Sequence, residues 1–207
     1  GSSLVGSEMC IRDRKYINIA YNIDISYAIS AWILIKVINI LQTINSCMDE
    51  LLNKEPVKRA QDALQRFDKS LKVKVLEQTA RTAKDASLAL GCEVGAIVKS
   101  LLFRAENSFI LCLVSGDKKC SLNKLKKITQ KNDLCMASPD QVKTQTGYTI
   151  GGVSPVGLLN DVEIFMDNSL ERFNKLYAAA GHPNCIFEIN FKKLNEITSS
   201  KVLEITE

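Results

Sequence analysis

The spacing of apolar positions predicts interleaved helices and short strands from Glu55 onward. EPVKRAQDALQRF repeats apolar residues at helical spacing, which predicts a helix over 55–67, and LKVKVL over 71–76 alternates as a half-buried strand does. The same patterns predict further helices at 83–90, 121–131, 138–146 and 191–197. They predict the remaining strands at 97–103, 109–114, 162–166, 176–180, 185–189 and 202–205.

Several of these strands follow one another through short turns. The strands at 97–103 and 109–114 are joined by five residues, with Asn107 or Ser108 expected in the turn of a hairpin. Such connections favour antiparallel neighbours, whereas long helical crossovers favour parallel ones. We therefore predict an α/β (α+β) fold with a mixed, largely antiparallel curved sheet or barrel and helices packed outside it. In the helix over 121–131, we expect Leu122, Leu125 and Ile128 to face inward.

Residues 1–47 differ from the rest in composition. They are rich in Ile, Asn, Tyr and Ser, and their uncharged run Ile25–Ile35 has 11 residues, whereas a membrane-spanning helix needs about 20. The opening SSLVGSEMCIRDR resembles translated sequencing-adapter DNA, and Met48 offers a natural start. We expect 1–47 to be a non-native or weakly ordered extension, with an amphipathic or anchoring helix as the alternative. Residues 48–207 then form the functional domain.

Composition and charge restrict the chemistry of that domain. The net charge of +4 permits a polyanionic partner without requiring one. The seven cysteines are scattered and odd in number, which favours a reducing, cytoplasmic compartment over a disulfide framework. Without clustered thiolates or histidines, we expect no metal site. A serine or cysteine nucleophile activated by histidine would have to use His182, the chain's one histidine.

Six short motifs occur in a characteristic order over residues 57–205. They are LG at 90–91, IVKSLLF at 97–103, TGY at 146–148, GGVSPVG at 151–157, Asp167 after a strand, and AAAG at 178–181. Together they resemble the YbaK/EbsC family, which is related to the editing domain of bacterial prolyl-tRNA synthetase. The resemblance implies a YbaK-like fold and hydrolysis of the ester in misacylated aminoacyl-tRNA, which supports translation fidelity. A catalytically inactive module of the same fold that binds tRNA or a synthetase is the alternative.

The resemblance also implies the partners and the site. The partner is the aminoacylated 3′ end of tRNA, with an aminoacyl-tRNA synthetase as a further candidate, and neither a cofactor nor a membrane is expected. Lys99 matches the family's lysine and is the candidate catalytic residue. The glycine-proline loop matches the one that shapes the family's pocket, and Gly181 matches a glycine beside the substrate. The candidate substrate-binding residues are Gly151, Gly152, Val153, Ser154, Pro155, Gly157, Gly181, His182 and Thr82.

The residues themselves are compatible with this chemistry. An aminoacyl ester is already activated, so its hydrolysis requires positioned water and donors to the developing oxyanion rather than a covalent nucleophile. Lys99 interrupts an apolar strand, and its ammonium either faces a cavity or extends to solvent. Ser154 is not favoured as a nucleophile, and Asp167 could simply cap the following helix.

A group of lysines provides a candidate surface for tRNA. It lies on and just before the helix over 121–131, and it either contacts phosphates or is a solvated helix face. Its candidate tRNA-binding members are Lys118, Lys119, Lys124 and Lys127.

Overall fold

The computed structural model describes residues 9–76, 80 and 82–207, with side chains for 27, 29–43, 46–76, 80 and 82–207. The chain divides into two compact units, Gly1–Met48 and Asp49–Glu207.

The first unit consists of most of helix α1, Met9–Asn53. The part Ile29–Asn53 is long and apolar enough to cross a membrane, with a mean hydropathy of 1.3. The uncharged run of the sequence ends at Lys36, but Val37, Ile38, Ile40 and Leu41 continue the apolar stretch beyond it. Core helices and signal sequences share this length and composition, so the helix alone assigns no location. The boundary at Met48 and the nature of residues 1–47 remain predictions.

The second unit contains the other helices and the sheet. The helices are α2 Glu55–Phe67, α3 Ala83–Leu90, α4 Leu122–Thr129, α5 Pro139–Thr146 and α6 Phe191–Thr198. The strands are β1 Val73–Val75, β2 Ile97–Ala105, β3 Ser108–Ser115, β4 Leu134–Met136, β5 Glu163–Asp167, β6 Leu176–Ala179, β7 Cys185–Ile189 and β8 Lys201–Leu203. Short 3₁₀ turns lie at Val94–Ala96 and Asn168–Arg172.

The helix ends follow the local signals in the sequence. Thr82 caps α3 by accepting a hydrogen bond from the backbone of Asp85, and Gly91 ends that helix at φ +62°. Ser138 caps α5 in the same way, and Gly147 ends it at φ +75°. Asp167 accepts a bond from the backbone of Ser169, which confirms its expected capping role, although the element it caps is a 3₁₀ turn.

The strands form one mixed sheet in the order β1-β7-β6-β2-β3-β5-β8, with β4 paired to β2. Four pairs are antiparallel (β1 with β7, β2 with β3, β2 with β4, β6 with β7) and three are parallel in the part described. This confirms the predicted fold class, and the sheet is open rather than a closed barrel. The strand β4 was not predicted, because three residues are too few to show an alternating pattern.

Both faces of the sheet are covered. Along β3, Leu111 and Leu113 face one apolar cluster, which α2, α5 and α6 complete with Val57, Val142 and Leu194. The alternate residues of β3 face a second cluster, which contains Leu125 of α4. The expectation for α4 was wrong in part, because only Leu125 is buried, while Leu122 and Ile128 are 41% and 39% exposed. An eight-residue helix that turns one side toward the sheet has a narrower buried face than its apolar spacing suggests.

Candidate active site

A gap in the pairing of β2 opens the sheet at its centre. On the edge opposite β3, the first residues of β2 pair with β6, up to Val98 opposite Ala178. The last three residues, 103–105, pair with β4. Among the described residues, no strand lies beside the stretch 99–102 on that edge. A cavity of about 500 Å³ occupies the gap.

The cavity is predominantly apolar. Two sides come from the strands flanking the gap, and the others come from α3, α5 and the loops at 147–157 and 180–184. Its lining residues are Ala80, Thr82, Ala83, Ala86, Ile97, Val98, Lys99, Ser100, Leu101, Leu102, Met136, Ala137, Val142, Ile150, Gly151, Val153, Tyr177, Ala179, Pro183 and Ile186. A few polar groups in an apolar concave site are the usual composition of a small-ligand site.

Lys99, the candidate catalytic residue, is among the residues that line this cavity. Its Nζ donates a hydrogen bond to the main-chain oxygen of Lys118 at 2.5 Å. Burial lowers the pKa of the Lys99 ammonium, and Lys119 adds to this, while the charges of Asp117 and Cys120 oppose it. The lysine is therefore partly desolvated and is held at the turn that follows β3.

That turn is braced by a network of polar groups. The Ser115 hydroxyl lies 2.6 Å from Gly95 O and 2.7 Å from Asp117 Oδ1. The Arg172 guanidinium donates to both oxygens of Asp117, at 3.0 and 3.2 Å. Burial alone would raise the pKa of Asp117, but the hydrogen bonds from Ser115 and Arg172 outweigh it and hold that pKa below its usual value. An ionised Asp117 therefore stands beside the turn that carries the Lys118 oxygen.

Ser100 is the residue that sequence reasoning missed. It faces the same side of the sheet as Leu102, and its Oγ is buried without a hydrogen-bond partner among the described residues. An unsatisfied buried hydroxyl costs about 1–3 kcal/mol, so a ligand group that bonds to Ser100 Oγ in the cavity would be stabilised. A small polar residue within the apolar run IVKSLLF was the available signal.

The main chain of β2 offers two further donors. The Leu102 oxygen accepts a bond from Ala137 N at 3.0 Å, so the polar groups of Leu102 point to the open edge. Backbone groups two residues apart on a strand point to the same edge, so those of Ser100 do as well. Neither residue is paired with β6, whose ladder ends at Val98. The N–H groups of Ser100 and Leu102 thus face the gap that the cavity fills.

The glycine-proline loop reaches the cavity only in part. Two of the candidate substrate-binding residues, Gly151 and Val153, line it together with Ile150. A Cβ on Gly152 would lie 2.9 Å from the His182 main chain, so this glycine permits two loops to pack closely. Pro155 and Ser154 are buried outside the lining, and Ser154 Oγ accepts a bond from Val156 N at 3.3 Å.

Of the other predicted substrate-binding residues, some line the cavity and others lie outside its lining. Thr82 lines the cavity and also caps α3. A Cβ on Gly181 would lie 2.6 Å from the main chain of Pro56, which places this glycine against α2 and outside the lining. His182 Nδ1 accepts a bond from Asn184 N at 3.1 Å. Burial and the nearby Lys54 lower the pKa of His182, which favours its neutral form, and its neighbour Pro183 reaches the cavity.

The four candidate tRNA-binding lysines do not form one free surface. The Lys124 ammonium is bound to the Glu204 carboxylate and lies 2.6 Å from Thr206 O. The main-chain oxygen of Lys118 accepts a hydrogen bond from the ammonium of Lys99. Lys119 and Lys127 are exposed.

The sequence and the fold of this chain are similar to those of known proteins. The family of aminoacyl-tRNA editing domains matches residues 77–197, more than half of the chain. The uncharacterized protein YwhH of Bacillus subtilis is 39% identical over 127 residues, which are 61% of this chain and 80% of YwhH. A solved structure of a protein proposed to be a trans-editing enzyme for prolyl-tRNA synthetase is 37% identical, with a TM-score of 0.71, over 74% of this chain and 98% of that one.

The synthetases themselves are matched over a small part of their length. The proline–tRNA ligase of Caldicellulosiruptor bescii is 26% identical over 162 residues, which are 78% of this chain and 25% of the ligase. The chain therefore corresponds to one segment of such a ligase.

Proposed function

The chain belongs to the family of aminoacyl-tRNA editing domains, and on this premise we propose that it is a deacylase that hydrolyses the ester bond of misacylated tRNA in trans. The observation that carries the proposal is the cavity of about 500 Å³ at the gap in β2, whose predominantly apolar lining includes Lys99 and Ser100 beside two main-chain N–H groups. The substrate is the aminoacylated 3′ end of tRNA, and the reaction takes place in the cytoplasm.

The reaction needs stabilisation of negative charge more than it needs a nucleophile on the protein. Water adds to the carbonyl carbon of the ester, and the carbonyl oxygen becomes an oxyanion. When the tetrahedral intermediate collapses, the bond to the ribose oxygen breaks, and that oxygen takes up the proton lost by the water. The N–H groups of Ser100 and Leu102 belong to a strand that is fixed by β3 on its other edge. Donors that do not reorganise during the reaction are the effective ones, so this rigid edge suits an oxyanion site.

Lys99 supplies the positive charge. Its ammonium is partly desolvated and donates a hydrogen bond to the main-chain oxygen of Lys118. A phosphate of the terminal nucleotide or the oxyanion itself would displace the Lys118 oxygen, because an ammonium is attracted more strongly by an anion than by a neutral carbonyl, above all where water is partly excluded. We assign Lys99 to charge stabilisation and not to proton abstraction.

The apolar remainder of the cavity receives the aminoacyl side chain. The walls from α3, α5 and Val153 hold no charged group other than Lys99 among the lining residues. Burial of an unpaired charge is costly, so charged side chains are excluded. The similarity to a protein proposed to act in trans for prolyl-tRNA synthetase supports the cognate tRNA of that synthetase as the first candidate.

A deacylation panel tests the proposal. Purified protein is incubated with tRNAs that carry different amino acids on a labelled 3′ end, and the loss of ester is measured against uncatalysed hydrolysis. Hydrolysis of one or a few apolar aminoacyl esters supports a deacylase. Tight binding of aminoacyl-tRNA without loss of any ester would instead identify a binding module of the same fold.

A further inference from the structure

Arg59 of α2 joins the two ends of the loop at 147–157. Its Nε donates to Gly157 O at 2.7 Å, and its Nη2 donates to Gly147 O at 2.9 Å. Its Nη1 is paired with Glu55 at 2.6 Å, and only 18% of the side chain is exposed. One planar guanidinium thus binds two carbonyl oxygens that are ten residues apart in sequence, which a lysine could not do with the same fixed geometry.

Tyr148 completes this arrangement from inside the loop. The Arg59 guanidinium lies over its ring, 4.7 Å from the centroid, and the ring is fully buried. The Tyr148 hydroxyl is 2.8 Å from Val156 O and 2.9 Å from Gly157 O. Burial raises the pKa of this hydroxyl, so it remains protonated and donates to the far end of the loop.

The glycines at both ends are required by this contact. A Cβ on Gly147 would lie 2.4 Å from Arg59 Nη2, and one on Gly157 would lie 2.9 Å from both Arg59 O and Tyr148 Oη. Both glycines also have positive φ, +75° and +65°. The loop ends and α2 therefore fit each other with no space for a side chain.

The middle of the same loop forms one wall of the cavity. Ile150, Gly151 and Val153 line it, and all three lie between the two carbonyls that Arg59 binds. Arg59 itself is not a lining residue, and it precedes residue 77, where the family match begins. The position of this wall depends on a helix outside the matched segment.

We propose that Arg59 is a positioning residue that sets the size of the pocket and thereby its selectivity among aminoacyl groups, an inference that rests on the proposed deacylase function. A single methylene in an apolar pocket changes discrimination by roughly 10- to 200-fold. If the loop wall moves outward by less than the length of a side chain, the cavity can therefore admit a larger aminoacyl group.

A measurement of substrate selectivity distinguishes a positioning role of Arg59 from a loss of protein stability. Arg59→Met keeps the length and apolar stem of the side chain and removes every donor, and Arg66→Met on the exposed face of α2 is the matched control. The measurement is kcat/KM for alanyl and valyl esters of the same tRNA. A larger unfolded fraction lowers both values by the same factor and leaves their ratio unchanged. We expect Arg59→Met to raise the valyl-to-alanyl ratio at least about tenfold, with no change in Arg66→Met. An unchanged ratio would overturn the proposal.

Hydrogen–deuterium exchange separates this inference from the proposed function. In Arg59→Met, the amides at 148–153 should exchange faster, while those of β3 should not. Equal exchange in the loop of both proteins would show that Arg59 does not hold it. If the loop exchanges faster but the wild-type protein hydrolyses no ester, the deacylase function fails and the selectivity role fails with it, while the clamp on the loop stands.

Discussion

The ammonium of Lys99 and the main-chain oxygen of Lys118 are joined by a hydrogen bond of 2.5 Å across the end of the β2–β3 hairpin. The bond connects a residue on the cavity wall with a turn that is braced by Asp117 and Arg172. The candidate catalytic charge is therefore held in place before a substrate arrives, which is the arrangement expected of a preorganised site.

Removal of that charge should abolish most of the activity. We expect Lys99→Ala to lower single-turnover deacylation on the order of 100-fold or more, as loss of an oxyanion donor does. The folded state should remain, because replacing a partly desolvated ammonium with a methyl group removes a charge that burial disfavours. Near-wild-type cleavage by folded Lys99→Ala at equal tRNA binding would refute the assignment.

The pH dependence should report the same ammonium. Burial holds the pKa of Lys99 below the 10.5 of an unperturbed lysine, so kcat/KM should fall as pH rises through that lowered pKa. The unfolded chain binds more protons than the folded one between the two pKa values, so this group makes the free energy of unfolding rise with pH there.

The carboxylate of Asp117 allows a test of this pH dependence, because its removal should shift the profile in a known direction. Asp117 raises the pKa of Lys99, so Asp117→Asn should move the fall in activity to lower pH. Asp161→Asn, at an exposed position of the same charge type, is the control. The midpoint of the profile, corrected for uncatalysed hydrolysis, is the readout. A midpoint that is unchanged or moves to higher pH in Asp117→Asn contradicts the role of the ammonium.

Two serines should respond in opposite ways. Ser100→Ala removes a buried hydroxyl that has no partner in the described part of the chain, so we expect no loss of stability and a fall in kcat/KM of about tenfold. Ser154→Ala removes the acceptor of the Val156 N–H outside the cavity, so we expect the free energy of unfolding to fall by about 1–2 kcal/mol with little change in the chemical step. Denaturant unfolding and single-turnover kinetics on both variants provide the comparison. Complete loss of cleavage in folded Ser154→Ala would contradict this prediction and support Ser154 as the nucleophile.

Local signals predicted most of the elements but not the pocket. The caps Thr82 and Ser138 and the stops Gly91 and Gly147 act within one helix turn, so the sequence shows them directly. The gap in β2 depends on where β6 and β4 stop pairing, which is a property of distant segments. The roles of Gly152, Gly157 and Gly181 were likewise hidden, because a glycine that avoids a clash looks the same in sequence as one that contacts a ligand.

Deletion of the N-terminal segment should leave the activity intact. The segment differs in composition from the domain, and its tryptophan, Trp32, is 61% exposed. We expect a chain that starts at Met48 to keep the unfolding midpoint and the deacylation rate of the full chain. Peptide mapping of protein from the native source should find no peptide before Met48. A lower unfolding midpoint in the shortened chain, or recovery of such a peptide, would show that the segment belongs to the protein.

The lysines near α4 should contribute to tRNA affinity unequally. Lys119 and Lys127 are exposed, whereas Lys124 is bound to Glu204 and to the main chain at Thr206. Only an ammonium that displaces counterions from phosphate adds to the salt dependence of binding, by a slope of about −0.7 to −0.9 per contact. Lys119→Glu with Lys127→Glu should therefore raise the Kd for tRNA several-fold at low salt and flatten the plot of log K against log salt. Lys124→Gln should leave that slope unchanged while it lowers the unfolding midpoint, because it releases the C-terminal residues. If the double reversal alters neither Kd nor slope, these lysines are solvated, and tRNA is bound through another surface.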